Sequence, residues 1–442
     1  VSPLPQRTAW RSWGGLAAKA STGIGARGWQ GGAGPVLAVG NGRSYGDSGL
    51  LDNGTIIDAA DLDRIESFDA STGLIVCEAG VLLSDILARC VPQGWFLPVT
   101  PGTRLVSIAG ALANDVHGKN HHASGTFGRH VPWFDLVRSD GQALRCSPTA
   151  NEALYRATIG GLGLTGLITR VALQLIPIRS PLMVQDTLPF ASLSGFFDLA
   201  AASDRSHAYT VAWLDSLATG SALGRGVFFR ANHSDDPAAC GLPPERVLPF
   251  LPFTPPVSLL NRASLGVFNQ LYRLAHRSPV REARVPFQPF FYPLDRIRGW
   301  NRAYGPRGLR QFQCVVPMAG AQEAVAALLG ATHGAGEASF LTVLKLFGNV
   351  PSPGLMSFPV AGATLTLDMP YRGARTDALL AELDRITIAA GGRVNPYKDA
   401  RMPAEVFRAS FPQWQDFARH IDPSFSSNFW RRVAGSASTP AR

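Results

Sequence analysis

The sequence predicts an α+β fold with an antiparallel sheet, helices to one side, in the middle of the chain. Short apolar runs alternate with glycine turns from Pro35 onward, and longer strands with period-two patterning recur between residues 182 and 392. Two helical stretches, AQEAVAALLGATHGA and TDALLAELDRITIAA, are interleaved with those strands. At 442 residues the chain exceeds what one hydrophobic core usually supports, so two compact bodies are expected; 46% hydrophobic and 17% charged residues exclude wholesale disorder.

Residues 1 to about 35 read as a loose segment because GIGARGWQGGAGP is rich in glycine, and the terminal GSASTPAR reads as a disordered tail. VSPLPQRTAWRSWGG has no apolar core of signal-peptide length, and no stretch reaches the roughly 18 to 20 apolar residues of a bilayer-spanning helix. A mature soluble chain is the expectation. VLAVG, GTIIDA and LIVCEAG then read as strands and VLLSDILARC as a helix. In WFDLVRSDGQALRC, Asp140 and Gly141 mark a hairpin turn, and GLITRVALQLIPI closes the region as a long strand near residue 181. Beyond it, YTVAWLD, GVFFRANH, RQFQCVVP, FLTVLKLFG and ATLTLDMP read as strands. Residues 236 to 293 interrupt them with a Pro-rich, aromatic stretch of no single period. Its Arg262, Arg273, Arg277 and Arg281 among apolar residues suit an amphipathic lid or a membrane-surface contact, and an ordinary helical insertion fits equally.

The net charge of +9 points to an anionic partner without choosing between nucleic acid, membrane and phosphorylated ligand. Only four of the 41 basic residues are lysines: Lys19, Lys119, Lys345 and Lys398. Cys77, Cys90, Cys146, Cys240 and Cys314 are odd in number and scattered, which suits a reducing compartment and no zinc knuckle. In VLAVGNGRSYGDS a strand runs into Gly40, Gly42 and Gly46, bracketing Arg43, Ser44 and Tyr45. Such glycines let backbone N–H groups approach a pyrophosphate, although the spacing is not GxGxxG and a plain turn explains it as well. Residues 100 to 130 set small residues around four histidines and Lys119, permitting close approach to a large planar ligand. His117, His121 and His122 raise a metal reading, but Gly118 and Gly125 break helix periodicity and Asp115 is the nearby carboxylate, so no metal site is assigned. TIGGLGLTGLIT is a third glycine turn feeding a strand. Lys345, on a β-patterned strand, ordinarily faces solvent; Lys398, in the VNPYKDAR turn, is expected in a cleft at a domain junction.

In order, GNGRSYGDS, PGTRLVSIAGALANDVHGKNHH, TFGRHV, GGLGLTGLIT, FYPLDRIRGWNRAYGP, FQCVVP, LKLFG and YKDAR resemble the flavoprotein oxidase family of decaprenylphosphoryl-ribose 2′-epimerases over roughly residues 36 to 401. The resemblance implies a vanillyl-alcohol-oxidase-type fold, with an FAD-binding domain from residues 1–181 and 393–442 around a substrate domain of residues 182–392. It implies noncovalent FAD, and the first glycine block indeed holds no histidine or cysteine to tether a flavin. The implied cofactor residues are Gly40, Gly42, Arg43, Ser44, Tyr45, Gly46, Thr103, Gly110, Ala113, Asn114, Gly125, Gly163, Thr165, Ile168 and Lys398. The implied catalytic residues are Lys398, His117 and Tyr45, and the implied substrate residues Lys119, Trp213, Gln313, Lys345, Thr364 and Thr366.

The implied reaction oxidises the 2′-hydroxyl of a polyprenylphosphoryl ribose, and a separate nicotinamide-dependent short-chain reductase returns the keto sugar with inverted stereochemistry. The expected location is cytoplasmic and peripheral at the inner membrane, with no nucleic-acid partner. Two departures bear on specificity. Thr364 and Thr366 precede Asp368 where the family often carries an asparagine and a reactive cysteine, so thiol-directed covalent inhibition there is expected to fail; Asn395 stands where an aromatic is expected. The competing readings are an O2-using sugar or aldonolactone oxidase acting on a soluble substrate, and a basic binding module without catalysis. The apolar 248–276 stretch argues against the first, and scattered arginines without a stacking motif argue against the second.

Overall fold

A computed structural model describes residues 10–237 and 251–435. Cys240, the first nine residues and nearly all of the terminal GSASTPAR lie outside them. Strands β1 (Thr22–Gly25), β2 (Val36–Val39) and β3 (Thr55–Asp58) form a parallel sheet in the order β1-β3-β2. This corrects the expectation of a loose segment before residue 35. TGIG pairs along its whole length with Thr55–Asp58, and the buried Trp10 lies across Gly23. A strand whose partner lies beyond the next strand carries no local signal in a Gly-rich sequence.

The chain continues through β4 (Ile65–Asp69), β5 (Leu74–Glu78), α1 (Leu83–Cys90), β6 (Trp95–Phe96), α2 (Ile108–Ala113) and α3 (His121–Ser124). Then come β7 (Trp133–Val137), β8 (Ala143–Cys146), α4 (Glu152–Thr158), β9 (Leu167–Gln174) and β10 (Ile176–Pro177). An antiparallel sheet of order β4-β5-β9-β7-β8 results. Helical spacing buries Leu83, Ile86, Leu87 and Cys90 of α1 together. As expected, Asp140 and Gly141 turn β7 into β8, with the Arg138 N–H donating to the Gln142 carbonyl at 2.9 Å.

The largest sheet is built from β11 (Leu182–Phe190), β12 (Tyr209–Leu214), β13 (Gly226–His233), β14 (Val280–Pro286), β15 (Leu309–Val316), β16 (Thr342–Phe347), β17 (Gly362–Pro370) and β18 (Arg393–Val394). Its order is β14-β11-β13-β12-β16-β17-β15-β18, antiparallel throughout. Its last strand in sequence ends at Val394. Between its strands run α5 (Leu193–Ser203), α6 (Arg262–Ala275), α7 (Phe287–Phe291), α8 (Ala321–Gly334) and α9 (Ala374–Ala389). Phe312, Cys314, Leu344, Leu365 and Leu367 form one face, in a shared core with Leu328 of α8 and Leu383 of α9. The alternate residues of the same strands therefore face the other way.

The last helices, α10 (Ala404–Ser410), α11 (Trp414–Ala418) and α12 (Asn428–Ala434), carry the chain back to its beginning. The Ser426 N–H donates to the Val36 carbonyl at 2.9 Å, and the Asn428 N–H to that of Leu50 at 2.8 Å. Among the described residues no helix is long and apolar enough to cross a membrane.

Candidate active site

The polar face of the large sheet is one wall of a cavity of about 1220 Å³. Register places Gln313 opposite Thr366, Lys345 opposite Thr364 and Trp213 opposite Val343. The facing walls come from residues 38–49, residues 100–119 and the turn carrying Tyr397 and Lys398.

Glycines let these segments meet. A side chain at Gly46 would overlap the Asp399 carbonyl, so only glycine lets the loop touch the Lys398 turn. Gly42 adopts a left-handed φ of 62°. The Tyr45 N–H donates to the Tyr397 carbonyl at 3.3 Å, and the Lys398 ammonium sits 4.2 Å from the centroid of the Tyr45 ring. Ser48 Oγ is buried on this wall with no hydrogen-bond partner. An unmet buried hydroxyl beside exposed loop backbone fits a polyoxygen ligand such as a dinucleotide pyrophosphate.

Three lysines line the cavity together with Arg11, Arg43, Arg298, Arg302 and Asp295. Burial pushes Lys398 down, and the nearby Asp368 opposes that shift. Burial in turn pushes the Asp368 carboxyl up, against a hydrogen bond from Gln311 Nε2 to Oδ1 and the attraction of Lys398. Burial and Asp368 together push the Tyr45 hydroxyl well above its usual range, so it stays protonated. Lys345 is pushed down to about 7 by burial and by Lys119 and Lys398; burial pushes Lys119 down to about 8. Lys119 Nζ donates to the Phe291 carbonyl at 3.0 Å. His117 lies between two partners, with Gln313 Nε2 3.0 Å from its Nε2 and Lys345 Nζ 3.3 Å from its Nδ1. Burial and Lys345 push its pKa well below the usual value, so the ring is neutral.

Most of the expected residues reach the cavity wall: Gly40, Gly42, Arg43, Ser44, Tyr45, Gly46, Thr103, Gly110, Ala113, Asn114, His117, Lys119, Gly163, Trp213, Gln313, Lys345, Thr366 and Lys398. Four are off it. Gly125 ends α3, packed against Arg129 and Val350. Thr165 turns its hydroxyl to that of Thr158, at 2.8 Å. Ile168 is buried in the core on β9. Thr364 lies behind Gln313, accepting its Nε2–H at 3.1 Å. The solvent-facing reading of Lys345 is corrected too, because the pleat of β16 aims it into the cavity. His121 stacks near Phe347 at 4.5 Å and His122 bonds the His207 carbonyl at 2.9 Å; among the described residues no group could hold a metal. Gln311, which lines the cavity, was not anticipated, and Asn395, noted in the sequence only as a departure from the family pattern, donates its Nδ2–H to Gln313 Oε1 at 2.8 Å. The signal for Gln311 was present, since it shares its strand face with Gln313.

An FAD binding domain family matches residues 33–147. Decaprenylphosphoryl-β-D-ribose oxidase of Mycolicibacterium smegmatis is 35% identical over 431 residues, covering 91% of this chain and 90% of that protein. An uncharacterized protein of Streptomyces coelicolor is 34% identical over 372 residues, 80% of this chain and all of that protein. L-Gulonolactone oxidase of Mus musculus is 29% identical over only 144 residues, 32% of each chain. With its flavin-binding region matched and a relative aligned along nearly its whole length, the chain belongs to the FAD-dependent decaprenylphosphoryl-β-D-ribose oxidase family.

Proposed function

We propose that this protein oxidises the 2′-hydroxyl of a polyprenylphosphoryl-β-D-ribose to the 2′-keto sugar, the first half of epimerisation to an arabinose donor for cell-envelope glycans. The observation that carries the reading is the double character of one cavity. Three of the chain's four lysines gather in it, and Trp213, Phe268, Tyr272 and Phe340 extend it with an aromatic surface. A lipid-linked sugar phosphate needs both; a free sugar has no use for the second.

FAD, held noncovalently by the loop of residues 40–49 and by residues 103–114, supplies the hydride acceptor. Lys119 and Lys345 bind substrate oxygens, Lys398 orients the sugar and provides positive charge, and His117 and Tyr45 hold protons beside it. Residues 1–181 and 393–442 form the FAD-binding domain and residues 182–392 the substrate domain, as in vanillyl-alcohol-oxidase-type proteins. The return of the C-terminal helices to β2 supports this division.

The protein works at an anionic membrane surface, cytoplasmic and peripheral at the inner membrane. Helix α6 supports this: Phe268 and Tyr272 line the cavity while Val267, Leu271 and Leu274 are exposed on the helix, with Arg262 and Arg273 on the same element. A nicotinamide-dependent reductase takes the keto product onward. The test compares polyprenylphosphoryl ribose with ribose 5-phosphate in wild type and in Trp213→Ala. The variant is expected to raise KM for the lipid substrate about tenfold, from the ~1–1.5 kcal/mol of a lost aromatic contact. Equal turnover of both substrates by wild type would favour a soluble-sugar oxidase instead.

A further inference from the structure

The hydrogen bonds around His117 run in one direction. A backbone N–H can only donate, and that of Tyr397 donates to Asn395 Oδ1 at 3.2 Å, which fixes the Asn395 amide. Asn395 Nδ2 then donates to Gln313 Oε1 at 2.8 Å, which fixes the Gln313 amide with Nε2 outward. Gln313 Nε2 spends its two hydrogens on Thr364 Oγ1 and on His117 Nε2. His117 Nε2 is therefore an acceptor, and the proton of the neutral ring sits on Nδ1. That N–H faces Lys345 Nζ at 3.3 Å. An ammonium there would oppose donor to donor, whereas an amine offers a lone pair and keeps an N–H for the Gly118 carbonyl, 3.5 Å away.

We infer that Lys345 rests as a neutral amine and is the base that takes the proton from the substrate's hydroxyl, with Tyr397, Asn395, Gln313 and His117 as the chain that positions it. The inference rests on the alcohol-oxidation reading above. In the step, the carbinol C–H bond breaks and its electron pair leaves as hydride to the bound flavin. The O–H pair stays on oxygen to complete the carbonyl, and the proton forms a new N–H bond on Nζ. The substrate hydroxyl takes the place of the His117 N–H at the lone pair.

The surroundings agree. The charged groups acting on Lys345 are the ammoniums of Lys119 and Lys398; His117 and His121 are neutral, and the Phe347 ring lies 5.9 Å from Nζ. Burial and those two cations favour the amine.

The test uses holoprotein labelled with 13C at lysine Cε, which gives four resonances, with that of Lys345 assigned by its loss in Lys345→Met. Lys345 is expected to titrate near neutrality without substrate. In Gln313→Glu the carboxylate accepts from His117 Nε2, the ring proton moves there, and Nδ1 becomes an acceptor for an ammonium. The Lys345 titration should then rise by at least one pH unit, and the alkaline rise in the rate of flavin reduction by substrate should move with it. A Lys345 resonance titrating near 10 overturns the inference, as does a pH profile of flavin reduction that stays put while the titration moves. Should the glutamate variant not fold, Lys345→Ala decides. Added ethylamine restores flavin reduction in proportion to its free-base form if Lys345 is the base. No rescue, or rescue tracking the cation, rejects it. The titration needs no substrate, so a wrong sugar or lipid would leave the resting-state result standing and fail only in flavin reduction.

Discussion

Asp115 offers the sharpest test of how the site is held. It is fully buried between α2 and His117, at a left-handed φ of 41°. Its carboxylate accepts the Gly128 N–H at 2.8 Å and the hydroxyls of Ser352 and Ser357. Asp115→Ala strands these donors. The serine hydroxyls can rotate to other acceptors, but the Gly128 N–H cannot, at about 1–3 kcal/mol. Placing alanine at positive φ adds roughly 1–2 kcal/mol. With partial loss at the serines, the expected destabilisation is about 4 kcal/mol. Asp115→Asn keeps an oxygen for Gly128, lets the serines accept from its amide, and tolerates the backbone, so about 1 kcal/mol is expected. Urea unfolding of the FAD-saturated protein, followed by circular dichroism, measures both. Equal stability for the two variants, or an alanine variant within about 1 kcal/mol of wild type, would refute the assignment of Asp115 as a hydrogen-bonding node.

Lys398→Ala should keep the fold and most of its FAD but lose turnover by about 10²–10³-fold, the usual cost of removing one preorganised electrostatic contact; full activity would remove Lys398 from the chemistry. His121 and His233 are pushed down to about 3 and about 4 by burial, against about 6.5 in the unfolded chain. The unfolded state then binds more protons between those values, so each histidine removes about 1.4 kcal/mol of stability per pH unit as pH falls below about 6.5. His121→Phe should flatten that slope in urea titrations from pH 6.5 to 4.5, and an unchanged slope would show that the ring is protonated when folded. Incubation of the holoprotein with a cavity-sized thiol electrophile should leave activity intact, because no cysteine among the described residues lines the cavity and Cys314 faces the opposite side of β15. Inactivation with a modified Cys314 would show that the sheet opens.

Five of the large sheet's eight strands, β12, β13, β15, β16 and β17, were legible from their apolar patterning, whereas β11, β14 and β18 were not read, β14 lying inside the stretch without a single period. Alternation in RQFQCVVP and ATLTLDMP separates Gln311 and Gln313 from Phe312 and Cys314, and Thr366 and Asp368 from Leu365 and Leu367. The strand at Thr22–Gly25 was not legible, since its stability comes from pairing with Thr55–Asp58 and two of its four residues are glycines. Lys345 is expected at the site only from the resemblance, because its local pattern points the other way. A lone lysine on a strand normally turns to water, and only the folding of residues 100–119 over that face makes it a cavity wall. Thr165 and Ile168 fell within a motif of which Gly163 reaches the cavity while its strand residues pack into the core, a distinction made by the backbone path. The polarity of the Asn395–Gln313–His117 chain depends on a backbone N–H far from His117 in sequence, and no spacing rule reports it.

The central claim is that the cavity oxidises a lipid-linked ribose phosphate at the expense of a bound flavin. Anaerobic addition of polyprenylphosphoryl-β-D-ribose to the purified holoprotein, followed by visible absorption, tests it directly. The flavin spectrum should bleach stoichiometrically with the lipid substrate and remain oxidised with ribose 5-phosphate or an aldonolactone. A flavin that stays oxidised with the lipid and bleaches with a soluble sugar would contradict the claim.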